Sequence, residues 1–318
     1  MGLRWGILVL AAGMVAAIAP VLPARAGNPV NPEPAFTDWP GLLPPLVEPY
    51  QPNTASQCLT GRAACLGTTI TQMRRRLEGM AASCDHNAVF LLAYLRTTQT
   101  YGWARNQPGY FSDNAWVNHE ASVFADHYFQ AFDTYRAGGA SVPAAWKVAL
   151  DAAGSHRVTA IGDLLLGMNA HINRDLPFVL ASVSIASGDG SSHKPDHDNV
   201  DRFLNAVVGP LLSEIAARFD PGATSYGEAG KAAALQLLVT WRELAWRNAE
   251  LLTIAPTIGA RALVAREIEA TAAAQAEALV ATSSYLPGFQ SASARDSYCS
   301  AHHGASSPTP YPFGSASN

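Results

Sequence analysis

From about residue 67 to residue 282, apolar side chains recur every three or four positions, Ala and Leu are abundant, and β-branched alternation is scarce. That period is the helical one and not the two-residue repeat of a half-buried strand, so helices dominate. They are predicted at about 68–82, 85–101, 114–136, 142–153, 157–174, 176–186, 199–219, 227–252 and 258–282. Turn chemistry separates them at Pro108-Gly109, Gly138-Gly139, Gly154, the polar run Ser187 to Asp198, and Pro221-Gly222. No repeat of fixed period and no linker-like interruption is visible, so residues 56–285 are expected to form one all-α, bundle-like domain.

The two ends read differently. Arg4, the apolar run 5–19, Pro20 and the small-x-small triplet Ala24-Arg25-Ala26 form the pattern of a signal peptide cleaved after Ala26. The run is shorter than the ~20 residues of a comfortable membrane span, so the mature chain is expected to be secreted or in the cell envelope, without a transmembrane span. Residues 27–55 are too rich in proline for a helix or central strand and read as an extended arm. Residues 286–318, rich in Ser, Gly and Pro, read as a loose tail anchored only at Cys299, and His302 and His303 fall within it.

Export bears on charge and on cysteine. The whole chain has 21 basic and 25 acidic groups; loss of Arg4 and Arg25 with the leader leaves 19 against 25, a net charge of −6. A mildly acidic chain with no basic face is not expected to bind nucleic acid, while a small-molecule or lipid-like substrate is compatible with it; oligomeric state is not legible. In an oxidising compartment Cys58, Cys65, Cys84 and Cys299 are expected to form two disulfides, with three possible connectivities. Cys58 and Cys65 enclose the shortest loop and are the easiest pair to close, which would leave Cys84 with Cys299 to tie the tail to the body. The cysteines have no metal-ligand spacing.

Familiar catalytic signatures are absent. There is no G-x-S-x-G elbow, P-loop or G-x-G-x-x-G; His119-Glu120 starts a zincin motif, but Val123 stands in place of the second His. What remains are polar residues set among apolar ones. His171 and Asp175, one turn apart at the end of an apolar helix, can share an ion if the helix runs through both, although Asp175 can equally cap the helix that Pro177 begins. Asp85 reads as an N-cap, with His86 in the first turn able to face a cleft. His119 and Asp126 share a face two turns apart, about 10 Å along the axis, so they need other segments to meet one ion. His127 reads as a core histidine bonded to a carbonyl. His193 and His197 lie in a stretch that reads as a solvated loop.

Taken together, His86, His119, Asp126, His171, Asp175, His193 and His197 are candidate ligands for a divalent metal such as zinc inside a helical bundle, with His86, His171 and Asp175 the candidate catalytic groups. Such an ion lowers the pKa of water to ~7 and would serve hydrolysis of an ester or phosphoester. The alternative is a non-enzymatic binding or envelope-associated protein whose buried polar network only specifies helix packing.

The segments CLTGRAACLGTTITQMRRRLEGMAASCDHNAVFLLAYLRTT, FADHYFQAF, VPAAW, LLLGMNAHINRDLP and KPDHDNV, in that order, resemble a bacterial family, domain of unknown function family 5995, over residues 56–220. The resemblance implies a mostly helical domain and no activity. The His171–Asp175 pair is also similar to the H-x-x-x-D pair of the helical zinc-dependent phospholipase C and S1/P1 nuclease group. That similarity ends at the pair: Ala181 stands where the group has a further His, and its later H-x-x-x-[ED] pair is missing.

Overall fold

The computed structural model describes residues 61–308 apart from 140, 226, 287 and 289. The leader, the arm and Cys58 lie outside the described residues. Helices make up nearly all the ordered structure: α1 (Ala63–Ala82), α2 (Ala88–Ala104), α3 (Asn114–Arg136), α4 (Ala144–Gly154), α5 (Ala160–Met168), a π-helical stretch (Asn169–Asp175), α6 (Leu176–Val183), α7 (Lys194–Arg218), a 3-10 turn (Pro221–Thr224), α8 (Gly227–Ile254), α9 (Ile258–Ser283) and α10 (Ala292–His302). Among the described residues β structure is limited to the isolated bridges Val158↔Ser284 and Ala186↔Ser192. The all-α expectation holds.

Local chemistry sets several starts. The Asp113 carboxylate accepts from the amides of Ala115 and Trp116 at the head of α3, and the Thr159, Thr257 and Ser291 hydroxyls cap α5, α9 and α10 in the same way. The segment α5–π–α6, apolar in α5 and α6 with a buried polar stretch between them, forms the axis of the domain and lies under α2, α4, α8 and α9. Gly167 allows its close contact with α2, because a Cβ there would fall 2.4 Å from the Phe90 ring. Trp116, Trp146 and Trp246 are among the largest fully buried side chains of the surrounding core.

Two expectations need correcting. The run 191–198 is not a solvated loop: α7 begins at Lys194 with Pro195 at its start, and His193, Asp196 and His197 are buried. Nor is the tail loose throughout, since Ala292–His302 is helical and buries Arg295 and Cys299. The cause is a long-range tie, the Cys84–Cys299 disulfide, which joins positions 215 residues apart. Cys65 is also disulfide-bonded. Among the described residues no helix is long and apolar enough to cross a membrane.

Candidate metal centre

The disulfide decides where the chemistry gathers. Cys84 lies two residues before His86, and Cys299 lies one turn after Arg295 and Asp296, so the bond sets α10 against the start of α2. His86 Nε2–H donates to Asp296 Oδ1 at 2.9 Å, and His156 Nδ1–H donates to Asp296 Oδ2 at 3.0 Å. The two imidazoles stack, with centroids 3.9 Å apart. On the inner side Arg295 Nη1 donates to His86 Nδ1 at 3.0 Å and pairs with the buried Asp163 at 2.6 Å. The inner wall is dry while the outer one is open: His86 is 3% exposed, whereas the side chains of His156 and Asp296 are 40% and 35% exposed.

Backbone conformation marks the same place. Cys84 and His156 both have φ of 53°, a left-handed conformation uncommon for residues other than glycine; Cys84 lies two residues from His86 and His156 belongs to the cluster. Burial and the neighbouring Arg295 push the His86 pKa down to about 4, so its imidazole is neutral near pH 7. Burial raises the Asp296 carboxyl, but hydrogen bonding from His86 and the nearby His156 outweigh it and hold the pKa below the ordinary range.

Among the described residues, His86, His156 and Asp296 are the only three His, Cys, Asp or Glu side chains whose ligand atoms all lie within 4.8 Å of one another. The donor set suits a divalent ion: two imidazoles and a carboxylate, with solvent on one side. Ligation by His86 Nε2 requires the other tautomer, with the proton on Nδ1. That nitrogen now accepts from Arg295 Nη1, so ligation requires Arg295 to withdraw from Nδ1, after which Asp163 Oδ2, 3.5 Å away, is the nearest carboxylate to take the proton.

The other sequence-predicted residues fall elsewhere, so the single ligand set of His86, His119, Asp126, His171, Asp175, His193 and His197 is replaced by separate groups. His171 and Asp175 do meet: Nδ1–H donates to Oδ2 at 3.0 Å. They sit in a π rather than an α turn, and Asp175, although at the N-cap position of α6, makes no side-chain capping bond. The same carboxylate accepts from Trp146 Nε1 at 2.8 Å and pairs with Arg174 at 2.9 Å, while His127 lies 4.0 Å away and makes no carbonyl bond of the expected kind. Aromatic rings enclose His171, with Phe124 stacked at 3.5 Å and Tyr94 edge-on at 4.5 Å. Asn169 and Asn173 bond Ala272 and Gln275 of α9, so this polar stretch also fastens the central helix to its neighbour.

His119 is fully buried in α3, whereas Asp126 is exposed on that helix. His197 is held at both nitrogens by Arg242, through the carbonyl at 3.2 Å and Nη2 at 3.3 Å. His193 stacks on Trp116 at 4.4 Å, separate from the rest.

Glu120, one residue from His119, is an incompletely compensated cost of this interior. Burial pushes its pKa up to about 7 from 4.5, only partly offset by Arg242. The folded state therefore holds a proton that the unfolded state has released between these values, and stability falls as pH rises through that window. Glu120→Gln is expected to remove this slope and to gain about 3 kcal/mol on the wild type between pH 4.5 and 7. Urea unfolding of both proteins across that range checks it, and parallel pH profiles would refute it.

Sequence reasoning passed over His156 and Asp296. The signal for Asp296 was present, because pairing Cys84 with Cys299 brings it to His86. No curated protein and no solved structure matches the chain. The family described as "Family of unknown function (DUF5995)" matches residues 66–282, a span that holds His86, His156 and Asp163 and stops short of Asp296 and Cys299. That match covers more than half of the 318 residues, and the chain belongs to this family of unknown function.

Proposed function

We propose that the protein is an exported, divalent-metal-binding hydrolase of ester or phosphoester bonds, with His86, His156 and Asp296 as its metal ligands. The observation that carries this reading is the convergence of two imidazoles and a carboxylate within 4.8 Å beside solvent. When bound, a divalent ion supplies Lewis-acid chemistry and acidifies water. The chain's own residues divide the remaining work. His86 and His156 offer imidazole nitrogens, Asp296 offers charge, and Arg295, held by Asp163, orients His86 through Nδ1. Arg295 neutralises Asp163, so the inner wall does not carry an uncompensated carboxylate.

The test is zinc titration of metal-depleted mature protein by calorimetry, with hydrolysis of bis(p-nitrophenyl) phosphate followed in parallel. One ion per chain is expected, with affinity falling at least ~100-fold in Asp296→Ala and ~10–100-fold in Asp163→Asn. Hydrolysis should vanish with chelator and return with zinc. Absence of stoichiometric binding, or equal binding by wild type and Asp296→Ala, rejects the metal centre; binding without hydrolysis leaves a metal-binding protein and rejects the enzyme.

A further inference from the structure

A second polar site lies away from the metal centre, where the hairpin after α6 meets the start of α7. Ser184, at the end of α6, has φ of 72° and turns the chain; the bridge Ala186↔Ser192 then closes a short hairpin. Its backbone bonds run from the Ser187 amide to the Ser191 carbonyl at 2.8 Å and from the His193 amide to the Ile185 carbonyl at 3.0 Å. Asp189 Oδ1 holds the tip by accepting from the Ser191 amide and hydroxyl. These bonds set Ser187 Oγ 3.3 Å from His193 Nε2.

The histidine is fixed as a base must be. Its ring lies flat on Trp116, with an interplanar angle of 6°, and Trp116 Nε1 donates to the Ser184 carbonyl at 2.7 Å, which ties both rings to the hairpin. His193 is 7% exposed, and burial holds its pKa below the ordinary value, leaving a neutral ring near pH 7. The pair faces a cavity of about 200 Å³ bounded also by Ser112, Asp113, Ser192 and Asp196. No lysine or arginine lines it, and two carboxylates do. That charge disfavours an anionic phosphoester, and the volume, below the ~300 Å³ of typical ligand pockets, suits a short acyl group.

We propose that Ser187 and His193 form a metal-independent nucleophile–base pair that acts on small, uncharged acyl esters. Ser187 Oγ bonds to the ester carbonyl carbon as its proton passes to His193 Nε2; the ester C–O bond then breaks, and the departing alkoxide takes that proton as an alcohol. Water repeats the sequence on the acyl-serine, gives its proton to His193, and releases the carboxylic acid with Ser187 restored.

The test treats the full mature chain with an uncharged alkyl fluorophosphonate. Attack forms the Ser187 O–P bond, breaks the P–F bond and releases fluoride with the serine proton. Peptide mass spectrometry is expected to find one adduct, on Ser187, in wild type and equally with excess EDTA. The adduct should be lost in Ser187→Ala and form at least ~100-fold more slowly in His193→Gln. Hydrolysis of p-nitrophenyl butyrate measured in excess EDTA should depend on Ser187 and His193 in the same way. An unlabelled Ser187 in the folded wild type, or unchanged hydrolysis of p-nitrophenyl butyrate by Ser187→Ala in excess EDTA, where the metal centre is silent, overturns the proposal; because the wild-type labelling result decides by itself, misfolding of a variant does not shield it. Labelling abolished by EDTA would also overturn it, by tying the reactivity to a metal.

Discussion

Replacing Cys84 and Cys299 together by serine is expected to cost about 4–5 kcal/mol and to weaken zinc binding at least ~100-fold in whatever fraction still folds. The stability loss follows from chain entropy. The disulfide spans 215 residues, and closing so long a loop removes far more freedom from the unfolded chain than a short bridge does. The binding loss follows from geometry. Asp296 reaches His86 only because α10 is held against the beginning of α2, and α10 otherwise ends in a stretch rich in Ser, Gly and Pro. Guanidinium unfolding of the oxidised protein and the double variant measures the first effect, and zinc titration the second. A variant equal to wild type in both would show that Arg295 and its partners dock α10 unaided.

Asp175→Ala is expected to destabilise the domain by about 3–5 kcal/mol. Its carboxylate is fully buried and compensates Arg174, His171 and the Trp146 indole at once. Removing it leaves Arg174 with Glu269 alone and strands two buried N–H donors beside a cavity. Burial works to raise the Asp175 pKa, but His171 and Arg174 hold it below the ordinary range, so its stabilisation is present at neutral pH and fades as pH falls through its folded pKa. Thermal unfolding at pH 7 and at low pH checks both parts: the gap between variant and wild type should narrow on acidification. A loss below about 1 kcal/mol would place Asp175 outside the set of groups that hold the central helix.

The helical fold was legible because apolar spacing and turn residues are local signals, and α1 to α9 follow them closely. Two features depended on contacts distant in sequence. α10 lies in a segment whose composition suggests a loose tail, and a covalent bond to Cys84 with Arg295 buried against Asp163 overrides that composition. The π stretch at 169–175 was read as an α-turn, since nothing in the i, i+4 spacing of His171 and Asp175 distinguishes the two.

The candidate site was legible only in part, and for the same reason. His86 was identified from its place at the head of an apolar helix, but its partners come from positions 156 and 296, which periodicity does not link to it. His156 sits in a left-handed turn between α4 and α5, where sequence reasoning found only a break. The pair best supported by spacing, His171 and Asp175, did come together, yet within an aromatic enclosure and with Asp175 already shared among three other side chains. Spacing along one helix reports which groups can meet; it does not report how many partners compete for them.

The most direct test of the metal centre is the anomalous diffraction of crystals of the mature protein grown with zinc, recorded at the zinc edge. The expected result is one strong peak per chain at ~2.0–2.2 Å from a nitrogen of His86, a nitrogen of His156 and a carboxylate oxygen of Asp296. A map without a peak there, or with its main peak beside His171 and Asp175, would contradict it.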